Sequence, residues 1–464
     1  MKGIVRSLLA MMIIAAVVFS CRKEGFTNNP AATLRTSIDT LHFDTVFTSA
    51  GSVSGVIKIF NPNDKGIHVS SVALAGGAAS PYKINVDGTP GPTVNNIDLA
   101  ANDSLYVFVT VRINPSAANL PFVVRDSIAI NYNGNIKYVQ LDALGQNAHF
   151  FRNRVIKTSE TWNADLPYVI LGGFTVDTTA TLTINKGVKI YMHADAPFVV
   201  NGSLQVLGEK WDSTRVLFTG DRLDEPYRDY PASYPGLLFM NVSRNNVMNY
   251  AIVKNAYQGI VVNEQSTGTK LTLNETIIDN AYDAGLIGIN TTITARNLLI
   301  SNCGKNLQLV KGGAYDFTHC TIATYSNAFI QHKDPVLLLT NYVQQAAPFP
   351  LTATFRNCIF WGEANGIVKD EVVISKQGST PFNVTFNQVL WRVQTPPANI
   401  TATGIINNQS PVFDSINTSR QFYSFRLGAG SPALNKGIAT NVNLDLDGKN
   451  RPVGLPDLGA YEKQ

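Results

Sequence analysis

Between residues 221 and 231 the chain reads Asp-Arg-Leu-Asp-Glu-Pro-Tyr-Arg-Asp-Tyr-Pro, with Tyr234 just beyond. Carboxylates accept hydrogen bonds, guanidinium groups donate them, and phenol rings offer flat apolar faces. That mixture suits a polyhydroxylated ligand whose rings stack while its hydroxyls hydrogen-bond. Asp221, Asp224, Tyr227, Arg228 and Tyr230 are therefore candidate ligand-binding residues. The competing expectation is a loop that satisfies its own polar groups and packs over neighbouring strands. Trp361 and Trp391 form a second candidate, in a column otherwise holding Lys254, Asp279, Ser301 and Thr324. Such a column is expected to face solvent. The two indoles would then be a stacking platform, or be covered by the inserted segment 333–350 with its Val336-Leu337-Leu338-Leu339 run.

Other polar groups point less clearly to chemistry, and no catalytic residue is assigned. Asp279 beside Lys254 reads as a salt bridge, and Asp316 with His319 lies next to Cys320 in an apolar strand, which favours a structural role. Asp445, Asp447 and Gly448 imitate positions 3, 5 and 6 of a calcium loop starting at Asn443, but position 12 is Gly454, where a bidentate Glu is needed. A turn in which the two aspartates accept backbone N–H bonds or pair with Arg451 fits better. No metal and no cofactor are expected. Cys303, Cys320 and Cys358 cannot all pair within one chain and read as buried thiols.

A three-column repeat must position these groups. Ala251-Ile252-Val253, Thr276-Ile277-Ile278, Leu298-Leu299-Ile300, Thr321-Ile322-Ala323, Cys358-Ile359-Phe360 and Gln388-Val389-Leu390 recur at steps of 25, 22, 23, 37 and 30 residues. Ile260, Leu286, Leu307, Phe329 and Ile367 keep pace, as do Leu271, Ile293, Tyr315, Ala353 and Val384. All three columns stretch together around 333–350, so one coil carries an insertion. Three short β-type runs in about 22 residues predict a right-handed parallel β-helix, whose coils bury apolar side chains only by stacking. Ile277 and Leu299 are expected to point inward. Asn255, Asn280 and Asn302 fall at corners, where asparagine tolerates left-handed backbone and can stack as an amide ladder.

The rest of the 464-residue chain divides around that helix. Residues 35–148 alternate short strands with turn signals, an all-β sandwich. Their "Ile-Phe-Asn-Pro-Asn" strand, "Ala-Asn-Asp-Ser-Leu" turn and closing "Ala-Leu-Gly" resemble the immunoglobulin-like family of hydin-type proteins and bacterial surface lipoproteins. The β-helix is expected over 149–425. Its "Leu-Thr-Ile-Asn-Lys-Gly-Val" at 182–188 and "Gly-Ser-Leu-Gln-Val-Leu-Gly" at 202–208 resemble the first coils of pectin-lyase-like proteins. Residues 426–464 resemble the choice-of-anchor Q family through "Ser-Pro-Ala-Leu-Asn-Lys-Gly", "Asp-Leu-Asp-Gly-Lys-Asn-Arg-Pro" and "Asp-Leu-Gly-Ala-Tyr-Glu". That resemblance implies an envelope protein and carries no established catalysis. The catalytic motifs of pectate lyases and polygalacturonases are missing.

At the N-terminus Lys2 and Arg6 flank an apolar run ending in Val18-Phe19-Ser20-Cys21, which resembles a bacterial lipoprotein signal peptide over 1–20. The resemblance implies a lipid on Cys21, membrane attachment through it, and, with Arg22 rather than Asp next, outer-membrane sorting on the periplasmic or outer side. Residues 21–34 would be a tether. Formal charge is +4, and losing Lys2 and Arg6 leaves 35 basic against 33 acidic residues, about +2. No basic stripe suggests nucleic acid, and oligomeric state is left open. The expectation is a lipid-anchored binding or scaffolding protein that contacts polysaccharide, more a binder than an enzyme. The alternative is a polysaccharide lyase or glycoside hydrolase. Three or more ionisable side chains converging in one groove would favour that alternative.

Overall fold

A computed structural model describes residues 25–48, 51–115, 121–264, 268–344, 347–364 and 366–464. The leader and Cys21 lie outside them. The chain divides into two compact units, Met1–Asn147 and Ala148–Gln464. Among the described residues no helix is long and apolar enough to cross a membrane.

The first unit is a β-sandwich of two five-stranded sheets. Strand Ser104–Val111 shows why it folds so: alternate residues Leu105, Val107, Val109 and Val111 are buried while their neighbours face out. Buried Asn61 ties the Asn-Pro-Asn turn to its neighbour, donating Nδ2 to the carbonyls of Lys65 and Ala100, each at 2.8 Å. Residues of the expected tether hydrogen-bond to this unit: Thr27 N donates to Gly66 O at 2.9 Å, and Asn135 Nδ2 to Pro30 O at 2.8 Å.

The second unit is a parallel β-helix. Among the described residues 23 strands, from His149–Ile156 to Thr401–Asn407, join in one parallel ladder that winds coil upon coil. The third repeat column is paired as its spacing predicts, Leu271 to Ile293 to Tyr315 to Ala353 to Val384. The second column departs after Leu307, which pairs with Leu337 and through it with Val372, not with Phe329 and Ile367. Residues 325–336 form an excursion on which Phe329 stands 38% exposed, and Leu337 and Leu339 supply the strand. The apolar run of the insertion is core, not a cover.

The first column slips by one residue, and the corners explain it. Tyr250, Glu275, Asn297, His319, Asn357 and Gln388 all have left-handed φ between 46° and 55°. Counting from each corner makes Ala251, Thr276, Leu298, Cys320, Cys358 and Val389 equivalent, so Leu299 pairs with Thr321, and Thr321 with Ile359. The first and third residues of each triplet point inward and the second points out. Ile278 and Ile300 are therefore interior, whereas Ile277 and Leu299, expected inside, lie on the outer face. Cys303, Cys320 and Cys358 are free thiols in the interior.

The same correction moves the tryptophans. Trp391 pairs with Phe360 and packs inside the helix, 5.1 Å from the ring of Phe386. Trp361 does continue the column of Lys254, Asp279, Ser301 and Ala323, but it is only 9% exposed. It belongs to an outer apolar layer with Leu299, Ile359 and Leu390, over which Phe425, Leu446, Leu458 and Tyr461 of the C-terminal segment pack. Corner residues fasten that segment. Asn357 exchanges hydrogen bonds with Ile438, at 2.8 and 3.0 Å, and Asn297 Nδ2 donates to Leu444 O at 2.7 Å. Asp445 accepts from the amides of Asp447, Lys449 and Glu462. Asp447 pairs with Arg426 and not with Arg451, which is buried against Glu462 at 3.3 Å.

Candidate ligand-binding cleft

The loop after strand Val216–Gly220 is fixed by its own charges and by the coil corner beneath it. Asp221 meets His193 at 2.7 Å, and burial raises its carboxyl pKa against that partner. Arg222 grips Asp224 with two hydrogen bonds, of 2.7 and 2.8 Å, which hold that carboxyl below its ordinary value. The Arg222 guanidinium also lies over the Tyr227 ring at 4.1 Å. Arg228 pairs with Glu225 and, at 3.4 Å, with Asp229. Two corner asparagines finish the job: Asn255 Nδ2 donates to Arg228 O at 2.8 Å and Asn280 Nδ2 to Asp229 O at 3.0 Å. Asp221, Asp224 and Arg228 thus serve chiefly to shape the loop.

What the loop presents is the edge of a cleft of about 400 Å³. Its lining combines Glu225, Asp229 and Tyr230 of the loop, Lys254, Asn255, Asp279, Asn280 and Asn302 of the coils, Asn327 and Phe329 of the excursion, and Ser419 to Gln421 with Tyr423. The rings of Tyr230 and Phe329 are 4.5 Å apart, with Tyr227 5.2 Å beyond Tyr230. Lys254 Nζ leans toward Asp229 Oδ1 at 3.8 Å instead of closing the expected pair with Asp279. Asp279 accepts from Ser301 Oγ at 2.6 Å and from Asn302 Nδ2 at 3.4 Å. Burial raises the Asp279 carboxyl pKa, against the lowering pull of Ser301, Lys254 and Asn302.

Glu225, Asp229, Lys254, Asp279 and Arg420 therefore converge in one groove, lined also by aromatic rings. Trp361 and Trp391 do not line it. Sequence spacing placed Lys254 and Asp279 on an outer column but read Phe329 as core. It gave no hint of the Ser419–Tyr423 side, which returns from 90 residues or more further along the chain with no repeat to mark it. Asp316 pairs with Arg356 at 2.8 Å, away from the cleft. Among the described residues no cluster of three or more His, Cys, Asp or Glu could hold a metal ion.

No family model and no curated protein matches this chain. Several solved structures are weakly similar. A family 123 glycoside hydrolase from Clostridium perfringens is 11% identical with a TM-score of 0.20, over 26% of this chain and 31% of that one. The ASH/PapD-like domain of human CEP192 is 12% identical with a TM-score of 0.18, over 28% of this chain and 94% of that one. The catalytic unit of an alpha-1,3-glucanase from Streptomyces thermodiastaticus is 10% identical with a TM-score of 0.26, over 76% and 89%. At those scores the likenesses carry no argument about activity.

Proposed function

We propose that this chain is a lipid-anchored envelope protein whose cleft binds polysaccharide. One observation carries the reading: the Tyr230 and Phe329 rings stand 4.5 Å apart in a cleft also lined by amides and carboxylates of the coils. Aromatic rings stack on sugar rings, and preordered hydrogen-bonding groups pair with hydroxyls at little entropic cost. The lipobox-like Val18-Phe19-Ser20-Cys21 supports the anchor and the envelope location. The test is an oligosaccharide array probed with the purified chain lacking residues 1–20. The expected result is retention of a defined glycan class, lost in Tyr230→Ala and Phe329→Ala variants that melt like the parent. No retained glycan, or retention indifferent to both changes, overturns it.

Cleavage of the bound glycan is the second reading, and the convergence of Glu225, Asp229, Lys254, Asp279 and Arg420 in one groove meets the expectation set for it. A carboxyl whose pKa is raised by burial, as at Asp279, is the type of group that can protonate a leaving oxygen. Reducing ends released from a retained glycan, and their loss in Asp279→Asn with binding intact, would establish turnover. Intact glycan after prolonged incubation would leave binding alone.

A further inference from the structure

Next to the cleft, on the other side of Phe329, lies a second hollow of about 380 Å³. Its outstanding feature is a pair of tyrosines on consecutive coils. Tyr257 and Tyr282 each follow a ladder asparagine by two residues, and their rings stack at 5.9 Å with planes 28° apart. Both are about half exposed, 47% and 50%, although neither is needed to fill the interior. Their backbones are fixed, Tyr257 N donating to Tyr234 O at 2.7 Å and Tyr282 N to Ala256 O at 2.9 Å. On the following coil the equivalent position is Gly304, where a Cβ would run into the Tyr282 carbonyl. The ring stack therefore ends there and the hollow opens. Polar groups flank the rings: Asp283 is held by Gln258 Nε2 at 2.7 Å and Lys305 Nζ at 3.1 Å.

We propose that Tyr257 and Tyr282 form a second sugar subsite, so that one neutral glycan chain runs from the cleft past Phe329 onto the tyrosine pair. The inference rests on the reading of the cleft as a polysaccharide site. Continuity comes from Phe329, which lines both hollows and meets Tyr230 on its cleft side. The class of ligand follows from charge. The second hollow balances Asp283 and Asp334 against Lys305 and Lys333, while the cleft sets Glu225, Asp229 and Asp279 against Lys254 and Arg420, one acid in excess. With Arg228 held on Glu225, neither hollow has an excess of cations to hold a uronate or sulfated chain, and neutral hexose or pentose polymers need none. The two rings, 5.9 Å apart on successive coils and each about half exposed, offer apolar surface along the helix to successive sugar rings.

Chain length separates this subsite from the cleft. The probes are disaccharides and hexasaccharides of neutral glucan, mannan, xylan and galactan, titrated calorimetrically against the chain lacking residues 1–20. For the glycan that binds, the hexasaccharide should bind the parent more tightly than the disaccharide. Tyr257→Ala with Tyr282→Ala should weaken the hexasaccharide about fivefold or more per lost ring and leave the disaccharide unchanged. Tyr282→Phe, which keeps the ring, should bind like the parent. Tyr230→Ala should weaken both lengths. Hexasaccharide affinity unchanged in the tyrosine double variant, with Tyr230→Ala still damaging, overturns the subsite and spares the cleft. Failure of every probe to bind the parent overturns both.

Discussion

Asn280 donates its Nδ2 to Oδ1 of Asn255, one coil below, over 2.9 Å, and the same nitrogen reaches the carbonyl of Asp229 at 3.0 Å. The corner ladder that stacks the coils is thus also the clasp that holds the candidate binding loop. Both asparagines have left-handed backbone, φ 64° at Asn255 and 55° at Asn280. Asn280→Gly should keep that conformation and lose only the amide bonds. Asn280→Ala loses the bonds and adds about 1 kcal/mol or more of backbone strain. In urea unfolding the alanine variant should be the less stable of the two by about that margin. Equal stabilities would mean that corner strain does not matter here. Both variants should weaken glycan retention, because both release the loop.

The inward and outward faces give a sharper stability contrast. Ile300 is fully buried in the interior, and Ile300→Asp would place a carboxylate there with nothing to pair it. The expected loss is several kcal/mol, on the order of 4, or failure to fold. Ile277 is only half-buried, on the outer face beneath the C-terminal segment. Ile277→Asp should cost about half as much or less. Equal losses in thermal or urea unfolding would reject the face assignment.

Much of the helix was legible because stacking makes sequence periodic. Leu271, Ile293, Tyr315, Ala353 and Val384 are in register through the insertion, since each follows its turn at a constant distance. Phe329 misled because an apolar residue at the right interval looks the same whether it enters the core or tops an excursion. The slip at Thr321 had the reverse cause: apolar residues on both faces of a strand under a covering segment erase the alternation that fixes register. Trp391 went astray through a separate slip, because sequence spacing makes the corner residue Gln388 the first of its triplet. That residues 426–464 cover the helix was not legible, because their contacts with Leu299, Ile359 and Trp361 are long-range and leave no local pattern. Of the loop residues named from the sequence, Tyr230 lines the cleft while Asp221, Asp224, Tyr227 and Arg228 do not, and the Ser419–Tyr423 side left no sequence signal for the same long-range reason.

Membrane attachment is tested at Cys21. Cys21→Ser removes the only atom in the proposed lipobox that can carry a thioether-linked lipid, so the variant should move from the membrane to the soluble fraction. Replacing Arg22 by Asp tests sorting separately, and should shift the protein from outer to inner membrane without releasing it. A Cys21→Ser protein that stays wholly with membranes would end the lipid-anchor reading.

The last prediction concerns acid, and its origin is a single corner residue. His319 is fully buried, accepts from Asn357 Nδ2 at 3.0 Å through Nε2, and lies 3.2 Å from Thr440 Oγ1 of the C-terminal segment. Burial, helped by the positive charge of Arg451, pushes its pKa down to about 2. In the unfolded chain the value is about 6.5. Between those limits the unfolded state takes a proton that the folded state refuses. Stability from this group is therefore complete above about pH 6.5 and falls by about 1.4 kcal/mol per unit as pH drops toward 2. Asparagine already occupies the equivalent corner at Asn297 and Asn357, both with positive φ, so His319→Asn should fold. Between pH 7 and pH 5 the parent should lose about 2 kcal/mol more than the variant, measured as the change in urea midpoint at each pH. Parallel pH profiles for the two proteins would show that the His319 imidazole is not held neutral beneath the C-terminal segment.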